Sequence, residues 1–186
     1  GAELDALTHE LEGLSADAEK MRYATFDELY HYCYRVAAIP GILMAHVGNA
    51  PPHAYVYAES LGIGMQLTNI LRDVKEDAQL GRVYFPQDEM VAFGVSEEQL
   101  LQGKQDENFR AFMQFQIARA HKYYSEAEKG LLFISPDARL ALRLCLVYYR
   151  EILSEIEKKS YDVFSSRVFV SEDRKMELLQ REMAAS

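Results

Sequence analysis

Gln66, Asn69, Asp73 and Asp77 stand three or four residues apart in an otherwise apolar run that begins at Leu61. In helical conformation this spacing stacks them on one face. Leu61, Ile63, Met65, Leu67, Ile70, Leu71 and Val74 fill the other directions. Such a helix is expected to be buried, with its polar row facing something that compensates amides and carboxylates withdrawn from water. Carboxylates at i and i+4 repel by roughly 0.2–0.5 kcal/mol even on an exposed helix, and a shared cation removes that repulsion. Asn69, Asp73 and Asp77 offer oxygen only, a donor set suited to Mg²⁺ or Mn²⁺ rather than zinc. Mg²⁺ takes a few protein oxygens and completes its shell with water and phosphate oxygens. The row therefore predicts a metal held against a phosphate-bearing ligand. The alternative is a solvated helix end whose acids pair with Arg72 and Lys75.

The elements that must position this row are helical throughout. Apolar residues recur at three- and four-residue spacing, without alternating runs or Asn-Gly and Asp-Gly hairpin signals. The spacing predicts helices over about 3–21, 25–47 with a break at Pro40-Gly41, 53–78, 87–93, 97–102, 106–133, 136–159 and 171–183. Thr25 to Glu28 and Ser96 to Gln99 read as capping boxes, and Ser135-Pro136 as a cap followed by a first-turn proline. Loops are expected at Asn49 to Pro52 and Gly81 to Pro86.

A chain of 186 residues with 49% apolar and 26% charged residues can bury one sizeable core, so a single all-α domain is expected over 1–186. The net charge of -9 argues against a nucleic-acid partner. It also means that an anionic substrate needs a cation or a few placed basic groups. Cys33 and Cys145 lie in apolar helical surroundings and read as reduced buried thiols, which points to a reducing, cytoplasmic compartment. No apolar stretch approaches the length of a membrane span. The opening Gly1-Ala2 lacks an initiator Met and reads as a cloning scar on a fragment of something longer.

The segment Gln66-Leu-Thr-Asn-Ile-Leu-Arg-Asp-Val-Lys-Glu-Asp77, followed by Gly81-Arg-Val-Tyr-Phe-Pro86, closely resembles the second aspartate-rich signature of squalene and phytoene synthases. Tyr32 to Ala37 resembles the family's tyrosine-bearing helix and Tyr149 to Leu153 its late tyrosine helix. Tyr161 to Phe164, Arg167 to Ser171 and Lys175 resemble its C-terminal segment. The resemblance implies an isoprenoid-synthase-type helical bundle around a central cavity. It also implies magnesium-dependent head-to-head condensation of two farnesyl or geranylgeranyl diphosphates through a cyclopropyl diphosphate, giving squalene, dehydrosqualene or phytoene; NADPH enters only for squalene. Asn69, Asp73 and Asp77 would hold the metal. Tyr32, Tyr149 and Arg72 would act on the reacting groups, and Gln66, Asn69, Arg82, Arg167 and Lys175 would bind substrate. Read from the residues alone, the tyrosines can equally be packing aromatics and the basic groups surface partners of nearby acids.

Two departures from the family pattern stand out. The chain reads Val36-Ala-Ala-Ile-Pro-Gly41 where the family has Val-Ala-Gly-x-Val-Gly, so Ala38 and Pro40 are expected to alter the helix break that shapes the cavity. Glu10, Glu12 and Asp17 do not reproduce the family's first acidic motif, so the chain is expected to be N-terminally truncated, to supply one wall of a two-walled metal site and to be inactive alone. Self-association of the truncated chain and peripheral membrane contact are further expectations. The competing readings are a class I terpene cyclase acting on one prenyl diphosphate, and a non-catalytic squalene-synthase-like binding or assembly domain.

Overall fold

A computed structural model describes residues 21–184; the expected helix at 3–21, with Glu10, Glu12 and Asp17, lies outside the described residues. The rest is a helical bundle. Among the described residues the extended contact is an isolated parallel bridge between Arg22 and Val83, which holds the Gly81 to Pro86 loop against the segment leading into the first described helix.

Helix α1 (Phe26–Cys33) begins at Thr25, whose hydroxyl accepts from Glu28 N. The carboxylate of Glu28 reaches back to Ala24 N at 2.9 Å, so the capping box closes one residue before the expected partner. The anticipated break at Pro40-Gly41 is displaced upstream into a π-helical turn at Tyr34–Ala38, closed by the Ile39 N–H donating to the Tyr34 carbonyl. Pro40 then occupies the first turn of α2 (Ile39–Val47). Proline lacks an N–H and its ring crowds the carbonyl four residues back, and a widened turn accommodates both.

The predicted helix 53–78 resolves into a 3₁₀ turn at Pro52–Ala54, α3 (Tyr55–Arg72) and α4 (Val74–Gln79). α5 (Gln87–Phe93) and α6 (Glu97–Gln102) have the expected bounds. Ser96 caps Gln99 N at 3.1 Å, but the Gln99 amide donates to the Lys104 carbonyl rather than returning to the cap. α7 (Glu107–Glu128) runs on into a 3₁₀ turn at Lys129–Phe133, and α8 (Pro136–Lys158) starts with Pro136 in its first turn but no cap bond from Ser135. α9 is Glu172–Ala184. Among the described residues no helix is long and apolar enough to cross a membrane.

α3 is the hub, packing most extensively on α7 and also on the π turn, α2 and α8. Phe109, Phe112, Met113, Ile117, Ala120 and Tyr124 line the inner face of α7 and meet Ile63, Leu67, Ile70 and Leu71 of α3 in one core with Leu153 and Ile156 of α8. Each large apolar side chain so buried contributes about 1.5–3 kcal/mol relative to exposure. Gly62 allows the closest approach, since a Cβ there would lie 2.6 Å from the Ala37 carbonyl oxygen.

Beyond α8 the backbone turns through Ser160 and Tyr161, both left-handed at φ 53 and 66. Asp162 Oδ1 accepts from Phe164 N and Ser165 N, an Asx turn, and Val163, Phe164, Val168 and Val170 bury their side chains. α9 is fastened to α8 by Arg174 on Glu151 at 2.8 Å and Arg143 on Glu182 at 2.7 Å.

Candidate metal and diphosphate site

The polar row survives folding with a kink in it. Asp73 ends α3 at φ -100, ψ 18, between the helical and bridge regions. Its N–H still donates to the Asn69 carbonyl, and its own carbonyl accepts from Asp77 N, both at 2.9 Å. The i to i+4 ladder therefore carries Asn69, Asp73 and Asp77 across the junction on one side. Gln66, Asn69, Asp73 and Asp77 are all partly buried rather than exposed.

Gln66, Asn69 and Asp73 have acquired hydrogen-bonding partners, and Asp77 lies in the field of Arg82. Asn69 Nδ2 donates weakly to Gln66 Oε1 at 3.4 Å, which leaves the amide oxygen of Asn69 as its ligating atom. The Asp73 carboxylate takes both arms of the neighbouring Arg72 guanidinium, with Nε on Oδ1 at 2.7 Å. Arg167, from the α8–α9 connection, brings Nη2 to 3.2 Å from the same Oδ1. The hydrogen bonds that Arg72 donates to Asp73 hold its guanidinium above its ordinary pKa against the burial that opposes its charge, and Tyr149 lies close enough to act on it as well. Asp77 is pushed up to about 6, chiefly by burial and next by the charge of Asp73, with Arg82 working in the opposite direction. Asp77 and Arg82 share a narrow crevice with Ile70, Val74, Tyr84 and Phe85.

Tyr32 lies in a cluster of three phenols. Its ring is 5.2 Å from Tyr84 and 5.4 Å from Tyr23, and Tyr23 in turn stacks on Tyr84 at 5.8 Å. Burial, followed by the contact with the Tyr84 hydroxyl, pushes the Tyr32 phenol far above its usual range, so it stays neutral. Tyr149 packs partly buried against the core. Lys175 goes elsewhere: its ammonium pairs with Glu172 at 2.7 Å on the exposed side of α9. Tyr23 and Tyr84 carried no expectation of their own, although Tyr84 sits inside the Gly81 to Pro86 loop that did. Lys75, whose Nζ donates to the Phe164 carbonyl at 2.7 Å, was read only as a partner for acids.

These residues fit a hard divalent cation. The raised Asp77 reports two desolvated carboxylates repelling across one helical turn, and a cation between them removes that penalty. Among the described residues no three His, Cys, Asp or Glu side chains gather, so protein donors alone form no closed cage. Two carboxylates and one amide oxygen match the sparse protein ligation of Mg²⁺, with phosphate oxygens and water filling the rest.

Comparison with known proteins points to one family. The squalene/phytoene synthase profile matches residues 2–174. The 15-cis-phytoene synthase of Synechococcus elongatus is 45% identical over 179 residues, covering 89% of this chain and 58% of the relative. The phytoene synthase of Arthrospira platensis is 46% identical over 178 residues, covering 88% and 58%. The crystal structure of a dehydrosqualene synthase in complex with ligand superposes with a TM-score of 0.89 at 33% identity, covering 97% of this chain and 64% of that one. The chain thus spans less than two thirds of the length of these relatives. With the profile match over most of its length, these relatives and the shared helical bundle, the chain belongs to the squalene/phytoene synthase family.

Proposed function

We propose that this chain carries the diphosphate-handling part of an enzyme that joins two geranylgeranyl diphosphates head to head to give phytoene. The observation that carries the reading is the alternation of charge around the row: Asp73 flanked by Arg72 and Arg167, and Asp77 flanked by Arg82. Carboxylates alone would repel a diphosphate and arginines alone would not hold a divalent cation, whereas the combination suits a metal–diphosphate pair. Phytoene is preferred over squalene and dehydrosqualene because the curated relatives at 42–46% identity bear the name phytoene synthase. Loss of a proton completes that product, so no nicotinamide reductant is invoked.

When bound, Mg²⁺ supplies Lewis-acid stabilisation of the departing diphosphate. Asn69, Asp73 and Asp77 hold the cation in place, while Arg72, Arg82 and Arg167 offer guanidinium donors to the phosphate oxygens as charge develops on them. The partly buried phenols Tyr32 and Tyr84, backed by Tyr23, present polarisable ring faces that favour a carbocation without capturing it as a strong nucleophile would. The apolar side chains around the row keep water from quenching the cation before the second prenyl unit attacks.

The reading includes a second acidic set opposed to this row, so the 186 residues alone are expected to convert no geranylgeranyl diphosphate. The test is product analysis with Mg²⁺ and geranylgeranyl diphosphate, using the chain alone and the chain joined to a segment bearing the family's first acidic motif. Phytoene from the joined protein only is the expected result. A cyclised product from one prenyl unit would assign the site to terpene cyclisation instead, and turnover by the chain alone would end the two-walled mechanism.

A further inference from the structure

Lys75 stands between the two carboxylates of the row, in the short helix α4 whose Val74 and Ala78 are buried. Its ammonium crosses to the α8–α9 connection and donates to the Phe164 carbonyl oxygen at 2.7 Å. That connection is irregular, so Phe164 O is not spent in a helical ladder and is open to a side-chain donor. Val163 and Phe164 on one side of Arg167, and Val168 on the other, are buried against the bundle. The Arg167 side chain is 58% exposed, yet its guanidinium is 3.2 Å from Asp73. An ion pair that exposed holds little by itself. What sets the position of Arg167 is therefore the anchoring of the backbone that carries it, and Lys75 makes the polar anchor on the helix that follows Asp73.

We propose that Lys75 is a positioning residue: it clamps residues 163–168 against α4, so that Arg167 joins Arg72 on Asp73 and is on hand for the diphosphate when a divalent cation takes that carboxylate. This inference rests on the reading of the row as a metal and diphosphate site. It has a signature that simple destabilisation lacks. Freed from the clamp, Arg167 no longer competes with a cation for Asp73, so binding of metal alone strengthens. The same release withdraws a donor from the anion, so binding of pyrophosphate with metal weakens. The two affinities move in opposite directions.

The experiment compares Lys75→Met, which keeps the aliphatic stem, with Lys75→Arg, which keeps a donor, in the 186-residue chain. Three quantities are read: hydrogen exchange at the Phe164 and Ser165 amides, Mn²⁺ affinity by electron paramagnetic resonance, and affinity for inorganic pyrophosphate at saturating Mg²⁺ by calorimetry. In Lys75→Met, exchange at those two amides is expected to rise about fivefold, the loss of roughly one hydrogen bond, with α7 amides unchanged. Mn²⁺ binding tightens about twofold to threefold and pyrophosphate binding weakens about fivefold, and Lys75→Arg restores all three. Unchanged exchange in Lys75→Met overturns the clamp, as does a parallel fall of both affinities with exchange rising throughout the protein. If the unaltered chain binds neither Mn²⁺ nor pyrophosphate, the reading of the row fails, and the exchange measurement still decides whether Lys75 holds the segment.

Discussion

The hydroxyls of Thr68 and Tyr124 meet at 2.7 Å in the interior, where α3 crosses α7 one residue before Asn69. Thr68 Oγ1 also lies 2.8 Å from the Gly64 carbonyl, which can only accept, so the single threonine proton goes there and Tyr124 is the donor of the pair. The two truncations are therefore unequal. Tyr124→Phe leaves Thr68 its bond to Gly64 and is expected to cost about 1 kcal/mol. Thr68→Val leaves a tyrosine hydroxyl buried without an acceptor and is expected to cost about 1–3 kcal/mol. Urea denaturation of both variants checks the order, and a larger loss in Tyr124→Phe would reverse the donor assignment.

Gly62 and Gly81 are expected to resist substitution for different reasons. A Cβ at Gly62 would meet the Ala37 backbone at 2.6–2.7 Å, and backbone cannot swing aside as a side chain would. Gly62→Ala should separate α3 from the π turn at a cost of about 1–3 kcal/mol and disturb Tyr32 on the same segment. Gly81 has open space around it but a φ of 74, so Gly81→Ala carries only the left-handed penalty of about 1–2 kcal/mol. Thermal melts give the stabilities, and near-ultraviolet circular dichroism should change in the tyrosine region for Gly62→Ala alone.

Asp77 predicts a stability that depends on pH in a defined sense. Its folded pKa of about 6 lies above the ordinary 3.8, so between these values the folded state holds the proton that the unfolded chain releases. Its contribution therefore worsens as pH rises through that window and is fully unfavourable above it. Asp77→Asn should raise the melting temperature of the metal-free protein at pH 7.5, and the gain should shrink towards zero as pH falls to about 4. Saturating Mg²⁺ should cancel the gain, because only the carboxylate is stabilised by the cation. A gain independent of pH would mean that the substitution acts through packing.

Asp73 and Glu76 separate the face of the row from its flank. Residue 76 points about 100° away from residue 77 around the helix axis. In the joined protein, Asp73→Ala removes a proposed metal ligand and the anchor of two arginines, and turnover is expected to fall on the order of 10²–10³-fold. Glu76→Ala should stay within about threefold, because its half-buried carboxylate lies off the face of the row and acts on it only through space. Comparable losses in the two variants would show that the wrong face has been assigned.

What the sequence determined by itself was whatever depends on near neighbours along the chain. α5 and α6 have the expected bounds because their end signals are local: Gly94 and Gly103 take left-handed φ of 69 and 63, and the Ser96 hydroxyl caps α6. The row of Gln66, Asn69, Asp73 and Asp77 was legible for the same reason, since helical periodicity alone puts those residues on one side. The π turn at Tyr34–Ala38, rather than a break at Pro40, goes with the close approach of Ala37 and Ala38 to Gly62, which no local pattern carries. Tyr23, Tyr32 and Tyr84 come from three separate segments and become a cluster only when the loop carrying Tyr84 is hydrogen-bonded to the segment before α1, Val83 N to the Met21 carbonyl. Charge pairing was the least legible feature. Arg72 was expected to act on the reacting groups and Arg167 and Lys175 to bind substrate; tertiary structure pairs the first two with Asp73 and the third with Glu172, partners that the sequence does not specify. A long basic side chain goes to the carboxylate that the backbone leaves within reach, and that distance is set by the packing of α8, α9 and the connection between them.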